Sequence, residues 1–308
     1  MKNKAYKFRI YPNKTQCELI EKTFSYVRFI YNKMLADKIE YYNKNHKKLK
    51  NTPAQYKKEF EWLKEVDSLA LANAQMNLQA AFENFFRNVG NGFPKFKSKK
   101  HSKNRYTTNF VNGNIFIKDG MIKLPKLGFV KMRQHRAIPD GYTLKSVTVS
   151  RNAAGSYFVS ILFEYEDETE RIDPETLINL SYCEDGLYID GTGFCMEYPE
   201  SIIETAQRLK KAQRRVSKMK KGSNNRKKQR LRAARLHERL ANQRRDFLHK
   251  ESRQIANACD CVCVREPAGS INDIAWGMFT TFLQYKMADA GKSFIKSDAR
   301  CTALMKEH

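Results

Sequence analysis

The sequence predicts an α+β chain of more than one domain: a small β-barrel with a helical insertion, then a strand-and-helix domain that carries a basic helical hairpin. Three observations lead to this prediction. Short strands with glycine turns flank a long helical pattern, strand and helix alternate in the second half, and one helical stretch is almost purely basic. The 308 residues are enough for two or three domains with cores of their own.

The first half opens with a strand. Tyr6, Phe8 and Ile10 alternate with basic residues, and Pro12 ends the pattern. Between residues 15 and 88 apolar side chains recur at helical spacing, and a basic loop then covers residues 92–105. Six short strands follow, at residues 106–110, 115–117, 122–124, 129–132, 143–150 and 157–163. Strands on both sides of the helical pattern predict a small β-barrel that this pattern interrupts.

The second half begins after an acidic segment, residues 164–170, which we interpret as a linker between domains. Residues 178–198 read as a buried strand, a tight turn and a second strand. A helical stretch follows at residues 201–258, and then a strand at 261–265, a helix at 276–290 and a strand at 293–296. This order is typical of an RNase H-like domain with a helical hairpin inserted between its strands.

Composition indicates the class of partner. The chain has 57 lysine and arginine residues against 33 aspartate and glutamate residues, a formal net charge of +24. Such an excess is typical of nucleic-acid binding, because each phosphate that a cation neutralises releases condensed counterions; a solvated basic surface is the alternative. The chain shows no apolar run of the roughly 20 residues that span a membrane and no opening signal-peptide pattern. We therefore expect a cytoplasmic protein, nucleoid-associated when it is bound to DNA.

Seven cysteines raise the question of a metal site, and none of them forms a C-x-x-C pair. Cys259, Cys261 and Cys263 alternate, which predicts that all three lie on one face of a strand. Thiols in that register are more often small buried hydrophobic groups than metal ligands. We therefore predict no structural zinc, and no disulfide framework in a cytosolic chain.

The predicted hairpin is the strongest binding signal. Between Arg208 and Lys250 there are 18 lysine or arginine residues and two acidic residues. The turn near Gly222 divides the segment into two helices with narrow apolar stripes, formed by Val216, Met219, Leu236, Leu240 and Phe247. A solvated hairpin that supports itself is the alternative, but such surfaces usually mix charges of both signs to limit repulsion. The pattern favours a surface that binds phosphates.

An ordered series of motifs runs nearly from end to end. It includes K-A-Y-K-F-R-I-Y-P-N-K, G-F-P-K-F-K-S-K-K, I-K-L-P-K-L-G-F-V-K, K-K-G-S-N-N-R-K-K, Q-R-R-D-F-L-H-K-E-S, W-G-M-F-T-T-F-L-Q-Y-K and I-K-S-D. In this series the chain resembles TnpB, the RNA-guided nuclease of single-strand transposing insertion sequences. The resemblance implies a WED-like β-barrel at residues 1–14 and 102–170, a REC-like helical insertion at residues 15–101, and a truncated, degenerate RuvC-like domain at residues 171–308 whose basic hairpin covers residues 201–258.

The catalytic positions depart from that family. In an RNase H-like nuclease the first strand carries an Asp that holds metal ions for phosphodiester cleavage, and Ser181 stands at this position. The second carboxylate of the family aligns with Arg265, and the adjacent Glu266 points to the opposite face of a strand. The chain also stops at His308, before the family's zinc ribbon and third Asp. We therefore expect no enzymatic activity and no catalytic metal, as in the TnpB-like nuclease-dead repressors (TldR).

This resemblance implies a monomeric ribonucleoprotein without a cofactor, in which a guide RNA is the functional partner, pairs with target DNA in an R-loop and blocks transcription at a promoter. The DNA motif beside the target (TAM) would be read by Ser68, Leu69, Ala72, Asn73, Val111 and Asn112, with ordinary packing as the alternative for each. Contacts to RNA or heteroduplex phosphates are implied for Lys4, Lys7, Arg9, Lys95, Lys97, Lys99, Lys100, Arg208, Lys211, Arg215, Arg226, Lys227, Lys228, Arg230, Arg244 and Arg245.

Two other functions stay open from the sequence. One is an active RNA-guided endonuclease with a rearranged metal site that uses Glu266, Asp273 or Asp298. The other is a protein that binds or processes guide RNA and has no DNA target. A cleavage assay with magnesium separates the first from a nuclease-dead binder, and sequencing of copurified RNA and DNA separates the second.

Overall fold

The structure, a computed structural model, describes residues 1–88, 90–167, 169–265 and 274–297. The chain divides into two units, Met1–Asp167 and Glu168–His308, and the division falls inside the acidic segment 164–170. The finer division into WED-like, REC-like and RuvC-like domains stays a prediction. In the described residues no helix is both long enough and apolar enough to cross a membrane.

The first unit contains one antiparallel sheet of seven strands: β1 (Lys2–Tyr11), β2 (Arg105–Asn109), β3 (Phe116–Lys118), β4 (Met121–Leu124), β5 (Gly128–Arg133), β6 (Thr143–Arg151) and β7 (Tyr157–Tyr165). The strand order is β2-β6-β7-β1-β5-β4-β3, so the chain's first strand lies at the centre. Tyr106 on β2 and Ile122 on β4, far apart in this order, belong to the same buried core, which means that the sheet curls. Among the described strands β2 does not pair with β3, so the predicted barrel is a curled sheet without closure.

The helical insertion is broken twice. Helix α1 (Lys14–Asn45) begins at a capping box of Asn13 and Gln16. His46, whose φ of 52° is left-handed, caps its C-terminal end. A short helix, α2 (Pro53–Glu59), and a 3-10 turn (Glu61–Glu65) precede α3 (Ser68–Arg87). Ile30 and Met34 of α1 pack with Leu71 and Leu78 of α3 in a second core. The helical pattern in the sequence is therefore correct in type but covers three helices.

The second unit is built on a mixed sheet of four strands: β8 (Leu177–Tyr182), β9 (Tyr188–Asp190), β10 (Cys261–Arg265) and β11 (Ser293–Ser297). Their order is β11-β10-β8-β9, with β9 antiparallel to β8 and β10 parallel to both of its neighbours. Helices α4 (Glu200–Lys218) and α5 (Asn224–Ala258) connect β9 to β10, and α6 (Ile274–Asp289) precedes β11. The order of elements matches the one that the sequence predicts.

One face of this sheet is covered by helices. Leu180, Val262 and Val264 pack there against Leu248 of α5 and Phe279 of α6. Because side chains alternate along a strand, the residues between them point to the other face, which includes Ser181 and Arg265. The helices therefore hold the sheet from one side and leave its functional candidates on the other.

The cysteine prediction is correct for burial but wrong for placement at one position. Cys261 and Cys263 lie on β10 and are buried. Cys259 precedes the strand: it caps the end of α5, and its thiol donates a hydrogen bond to the Ile255 carbonyl at 3.3 Å. The three thiols therefore do not share one strand face, because α5 runs to Ala258 and leaves no room for an earlier start of β10.

A buried lysine lies between α5 and α6. The Lys286 ammonium donates hydrogen bonds to the His249 carbonyl and, at 2.7 Å, to Ser252 Oγ, and only 3% of the residue is exposed. Burial, assisted by the charge of Arg253, lowers the pKa of Lys286 from its usual value of 10.5 to about 8.

We expect Lys286 to make the free energy of unfolding rise with pH between about 8 and 10.5. At these pH values the Lys286 side chain binds a proton in the unfolded chain but not in the folded chain. Lys286→Met should flatten this dependence and stabilise the protein at neutral pH by on the order of 3 kcal/mol at most. Urea unfolding at a series of pH values measures both effects. The control Lys250→Met removes an exposed lysine of α5 and should keep the wild-type slope. Equal slopes for Lys286→Met and the wild type would contradict the prediction.

Candidate nucleic-acid interface

The basic hairpin consists of α4 and α5, joined at residues 219–223. Gly222 adopts a φ of 87°, a backbone conformation that is strained in residues with a side chain. Ser223 caps α5 by accepting a hydrogen bond from the Arg226 amide. The buried seam between the helices is formed by Ile202, Leu209 and Leu240. Leu240 confirms part of the predicted apolar stripe, whereas Val216 and Met219 are only half-buried.

Most of the hairpin cations that the sequence singled out point into solvent. The exposed ones are Arg208, Lys211, Arg215, Lys227, Lys228, Arg230, Arg244 and Arg245. The ion pairs that α4 and α5 form along their own surfaces, Arg208–Glu204 at 3.2 Å and Lys250–Asp246 at 2.7 Å, are exposed and therefore weak. The hairpin thus presents far more positive charge than its own acids neutralise.

Arg226 is an exception among the predicted RNA contacts. Its side chain is half-buried, and its Nε donates a hydrogen bond to the Val216 carbonyl near the end of α4 at 3.3 Å. The last carbonyls of a helix have no partner within the helix, and the Arg226 side chain satisfies the one of Val216. Arg226 therefore closes the hairpin, a role that charge counting along the sequence does not separate from phosphate binding.

The basic loop 92–105 contains a second exception. The Lys97 ammonium lies 3.6 Å from the centre of the Tyr31 ring, and burial lowers its pKa. The Lys97 backbone exchanges two hydrogen bonds of 2.8 Å with the Asn32 side chain. Lys97 thus fastens the loop to α1. The other predicted contacts of the loop, Lys95, Lys99 and Lys100, are exposed.

The three basic residues predicted on β1 do not form one cluster. Lys7 and Arg9 are exposed on the outer face, where Lys7 lies over Phe158 at 4.6 Å and Arg9 donates to Ser156 Oγ at 3.3 Å. Lys4 shares the alternation of Tyr6 and therefore faces the other way, with its ammonium 6.0 Å from the Tyr165 ring. An even-numbered position on this strand belongs to the core side, which the alternation in the sequence already indicates.

The proposed motif-reading residues come together at one place in the first unit. Ser68, Leu69, Ala72 and Asn73 lie at the start of α3, and the Asn73 amide donates to the Asn109 side chain of β2 at 3.4 Å. The same amide donates to the Leu69 carbonyl at 2.9 Å. Both Asn73 protons are therefore used within the protein, and its carbonyl oxygen is the group left to read a base edge.

Val111 and Asn112 occupy a tight turn directly after β2. Asn112 and Gly113 have φ values of 49° and 70°, and the backbone N–H of Asn114 donates a hydrogen bond to the Val111 carbonyl at 3.1 Å. The Asn114 side chain locks the turn by accepting from the Val111 amide at 2.9 Å and donating to the Asn109 carbonyl at 3.1 Å. Val111 and Asn112 are thus exposed on a rigid tip. Asn109 and Asn114 are the positioning residues that the sequence analysis missed, although their side chains lie in an asparagine-rich turn.

Ser181 and Arg265, which the sequence analysis aligned with the family's catalytic carboxylates, are direct neighbours in the second sheet. Ser181 on β8 is in register with Arg265 on β10, and Arg265 is in register with Ser297 on β11. The three side chains therefore form a row on one face, at the carboxyl ends of three parallel strands spaced by about 4.8 Å. Arg265 is exposed, and Ser181 and Ser297 are half-buried.

Acidic groups do not gather near this row in the part of the chain that the structure describes. No set of three His, Cys, Asp or Glu side chains there is arranged to hold a metal ion. Asp190 pairs with Leu180 rather than Ser181, and its carboxylate accepts hydrogen bonds from the Thr192 side chain and the Phe194 amide. These bonds, chiefly from the Thr192 hydroxyl, lower its pKa. Glu266, Asp273 and Asp298 lie outside the described residues.

The fold is similar to that of a solved protein. The structure is similar to a protein solved by cryo-electron microscopy in a "Cas12f1-sgRNA-target DNA complex", with a TM-score of 0.56 and 10% sequence identity over 96% of this chain and 89% of the other. This similarity shows that the chain shares the fold of that protein.

Sequence comparison then gives the family. Residues 188–266 match a family described as "Probable transposase" of the OrfB IS605 type, and residues 1–47 match one described as "Helix-turn-helix domain". A protein of Streptomyces pristinaespiralis called "Putative RNA-guided DNA endonuclease" is 32% identical, over 96% of this chain and 77% of its own. The protein InsQ of Escherichia coli (strain K12), with the same description, is 31% identical over 80% of this chain and 61% of its own. The chain belongs to the TnpB/IS605 transposase family.

The second of these family names does not describe the fold of its segment here. Residues 1–47 contain β1 and then α1, a single helix of 32 residues that ends at Asn45. The segment is therefore a strand and one helix, and β1 is the central strand of a seven-stranded sheet.

We predict that replacing Lys227, Lys228 and Arg230 with Ala weakens RNA binding and reduces its salt dependence, by up to about 0.7–0.9 in logarithmic slope for each phosphate that is no longer neutralised. Melting temperature should stay unchanged, because these side chains are exposed. Fluorescence anisotropy with labelled guide RNA at several salt concentrations measures the slope. Replacing the exposed Lys47, Lys50 and Lys58 removes the same charge elsewhere and should have a smaller effect. Equal effects of the two triple variants would contradict a specific role of the hairpin.

Proposed function

We propose that this protein is a guide-RNA-dependent DNA-binding protein without nuclease activity, which represses transcription by occupying a promoter that matches its guide. The RNA and DNA partners are supported by relatives named as RNA-guided DNA endonucleases, and by a fold shared with a protein solved with single-guide RNA and target DNA. The loss of cleavage is supported by a separate observation in this chain.

That observation is the register of Ser181 with Arg265. Phosphodiester cleavage by two metal ions needs adjacent carboxylates, and Mg²⁺ prefers hard, charged oxygen ligands. Here a neutral hydroxyl and a cation occupy neighbouring strands on one face. At an effective dielectric constant of about 20, unit charges about 4 Å apart interact by about 4 kcal/mol, and a divalent ion doubles this value. Solvent at this exposed edge reduces the repulsion between Arg265 and a metal ion but does not change its sign.

The rest of the surface supports binding. The exposed cations of the hairpin, of the loop 92–105 and of β1 fit contacts to the sugar–phosphate backbone, which position nucleic acid without reading its sequence. Guide pairing then supplies sequence recognition. The tip at Val111 and Asn112, with the start of α3, is suited to reading a short duplex motif, because apolar side chains contact thymine methyl groups and amides contact base edges.

The proposal includes the finer assignments that follow from the family. The curled sheet is the WED-like part, α1 to α3 are the REC-like part, and the second unit is a degenerate RuvC-like domain. The active form is a monomeric ribonucleoprotein that acts on DNA in the cytoplasm and requires guide RNA but no metal. A stable R-loop across a promoter excludes RNA polymerase, so repression needs no chemical step.

An active RNA-guided endonuclease is the second candidate, because the two curated relatives carry that name. In this reading Glu266, Asp273 or Asp298 would rebuild a metal site. The two functions differ in one measurable property, the cleavage of guide-matched DNA, so a cleavage assay distinguishes them.

We predict that the purified ribonucleoprotein does not cut guide-matched DNA in magnesium or manganese. The assay is gel analysis of both end-labelled strands, with the Escherichia coli relative as a test of the buffers. Cleavage that requires the matched guide and disappears in Glu266→Ala would support the second candidate and contradict the proposal.

We also predict that Ser181→Asp restores no nicking. The new carboxylate would lie beside the Arg265 guanidinium and form a cross-strand ion pair rather than a metal ligand. The expected sign of this pairing is an unchanged or slightly raised melting temperature with no activity. Measurable nicking by the single variant would show that the metal site is more complete than we propose.

Finally, we predict that the protein represses a reporter whose promoter carries the matched target beside the motif. Repression should disappear when the guide is mismatched next to the motif, where heteroduplex formation nucleates, and should return when the target is changed to match. Repression that ignores the guide sequence would instead indicate nonspecific coating of DNA. Tight RNA binding without repression by any guide would indicate an RNA-only function.

A further inference from the structure

An apolar cavity interrupts the basic surface of the hairpin at its base. It has a volume of about 300 Å³ and lies between the first half of α4 and Arg244 of α5. Ile202, Ile203 and Ala206 line it together with Tyr198, which lies just before α4. This volume is at the lower end of the range for small-ligand pockets, about 300–1,000 Å³. The cavity therefore suits a small group rather than a folded partner.

The apolar lining is unusual for its surroundings. Ile203 is 48% exposed, although it lies on a hairpin whose surface is otherwise dominated by lysine and arginine. An isoleucine that is left in water forgoes the stabilisation that burial would give it. The neighbouring Ile202 is buried in the seam between α4 and α5, whereas Ile203 lies outside this seam. This leaves Ile203 available to a ligand.

Two cations and an amide border the apolar lining. Lys210 and Arg244 line the cavity together with Gln207, and all three residues are exposed. Neither Lys210 nor Arg244 forms an ion pair within the described residues of the second unit. An apolar slot with positive charge on its rim matches a ligand that has a flat apolar part flanked by negative groups.

We propose that this cavity binds one unstacked nucleotide of RNA, with its base against Ile203 and Tyr198 and its flanking phosphates on Lys210 and Arg244. A base has a π-face that stacks on aromatic and apolar side chains, and single-stranded RNA is recognised through such splayed bases. An acidic peptide is less suited, because the cations of the hairpin extend well beyond the cavity, as a nucleic-acid backbone does. The inference rests on the proposed RNA-binding function and adds a site for one base to it.

The cavity separates two physical contributions that a test can distinguish. Phosphate contacts depend on salt, whereas insertion of a base into an apolar slot depends on it little. Ile203→Lys adds a positive charge and removes the apolar lining at the same time. If binding is purely electrostatic, this variant binds RNA more tightly. If the slot holds a base, it binds more weakly despite its higher charge.

The experiment compares Ile203→Lys with Leu231→Lys in the full chain, by titrating labelled guide RNA at several salt concentrations. Leu231 is 38% exposed on α5 and does not line the cavity, so its variant adds the same charge to the hairpin surface outside the cavity. We expect Ile203→Lys to lose affinity by roughly 5- to 150-fold, the range for one stacked base, and Leu231→Lys to keep or gain affinity. A gain of affinity in both variants overturns the proposal.

A second variant guards against an effect of the new lysine on folding. Ala206→Leu fills the cavity without a change in charge, and Ala233→Leu, on α5 outside the cavity, is its control. We expect Ala206→Leu alone to weaken RNA binding at an unchanged salt slope. Its effect should vanish against an RNA with an abasic site at the inserted position, because the two changes remove the same contact. Wild-type affinity of Ala206→Leu, or additive effects at every abasic position, overturns the proposal.

These outcomes are distinct from a failure of the proposed function. If the wild-type protein binds no RNA, both the function and the cavity assignment are wrong. If the wild type binds RNA and only the cavity variants fail to differ from their controls, the function stands and the base site is wrong. Titration with adenosine monophosphate, followed by the methyl resonances of Ile202 and Ile203, gives an independent readout. If neither resonance shifts when the nucleotide is in excess, the result contradicts the site.

Discussion

The parallel register of β10 between β8 and β11 is the constraint on which the second unit depends. It buries Val262 and Val264 against α5 and α6, and the same alternation sets Ser181, Arg265 and Ser297 in a row on the opposite face. A shift by one residue would move the valines to the opposite face of the sheet, away from α5 and α6, and turn Arg265 toward the helices. The stability of the fold and the chemistry of the sheet edge are therefore fixed together, and the edge cannot change its pairing without disrupting the core.

The charge of the hairpin imposes a second constraint. Eighteen basic residues repel one another in a segment with two acids, and the apolar seam that holds α4 to α5 is narrow. The fold limits this repulsion where it can: Arg226 bonds to a helix-end carbonyl, and Lys97 in the basic loop of the first unit rests on an aromatic ring. The remaining cations point into solvent, where water and salt screen them until a polyanion replaces the counterions.

Much of the fold could be predicted from the sequence. Strands β2 to β7 and the hairpin agree with the sequence prediction within one or two residues, because alternation with period 2 and apolar recurrence with period 3.6 are local signals; β1 begins three residues earlier than predicted. Closure of the barrel was not predictable in this way, since it depends on whether β2 meets β3, and no local pattern in either strand reports on that pairing. Cys259 was misplaced because α5 runs on to the residue before it.

The candidate site was harder to predict at the level of single residues. Lys4, Lys97, Arg226 and Asn73 all have the right chemistry for nucleic acid, yet the structure uses each of them in a contact of its own. Residue type alone does not reveal such contacts, because they depend on which ring or carbonyl the folded chain brings within reach. Asn109 and Asn114 were missed for the same reason.

Binding and cleavage differ in how much they depend on single residues. One substitution at the sheet edge can affect cleavage more than several substitutions on the surface affect binding. Backbone binding sums many weak contacts, so the use of Lys97 and Arg226 in structural roles leaves most of the interface in place. Catalysis by metal ions is instead a property of one cluster, in which each carboxylate must be present and on the correct face. Under the proposed function Arg265 stands in place of a carboxylate, and this exchange alters the local charge by two units in the direction that repels a metal ion and attracts a phosphate. A site of this kind can lose cleavage in a single step while its affinity for nucleic acid is kept or increased.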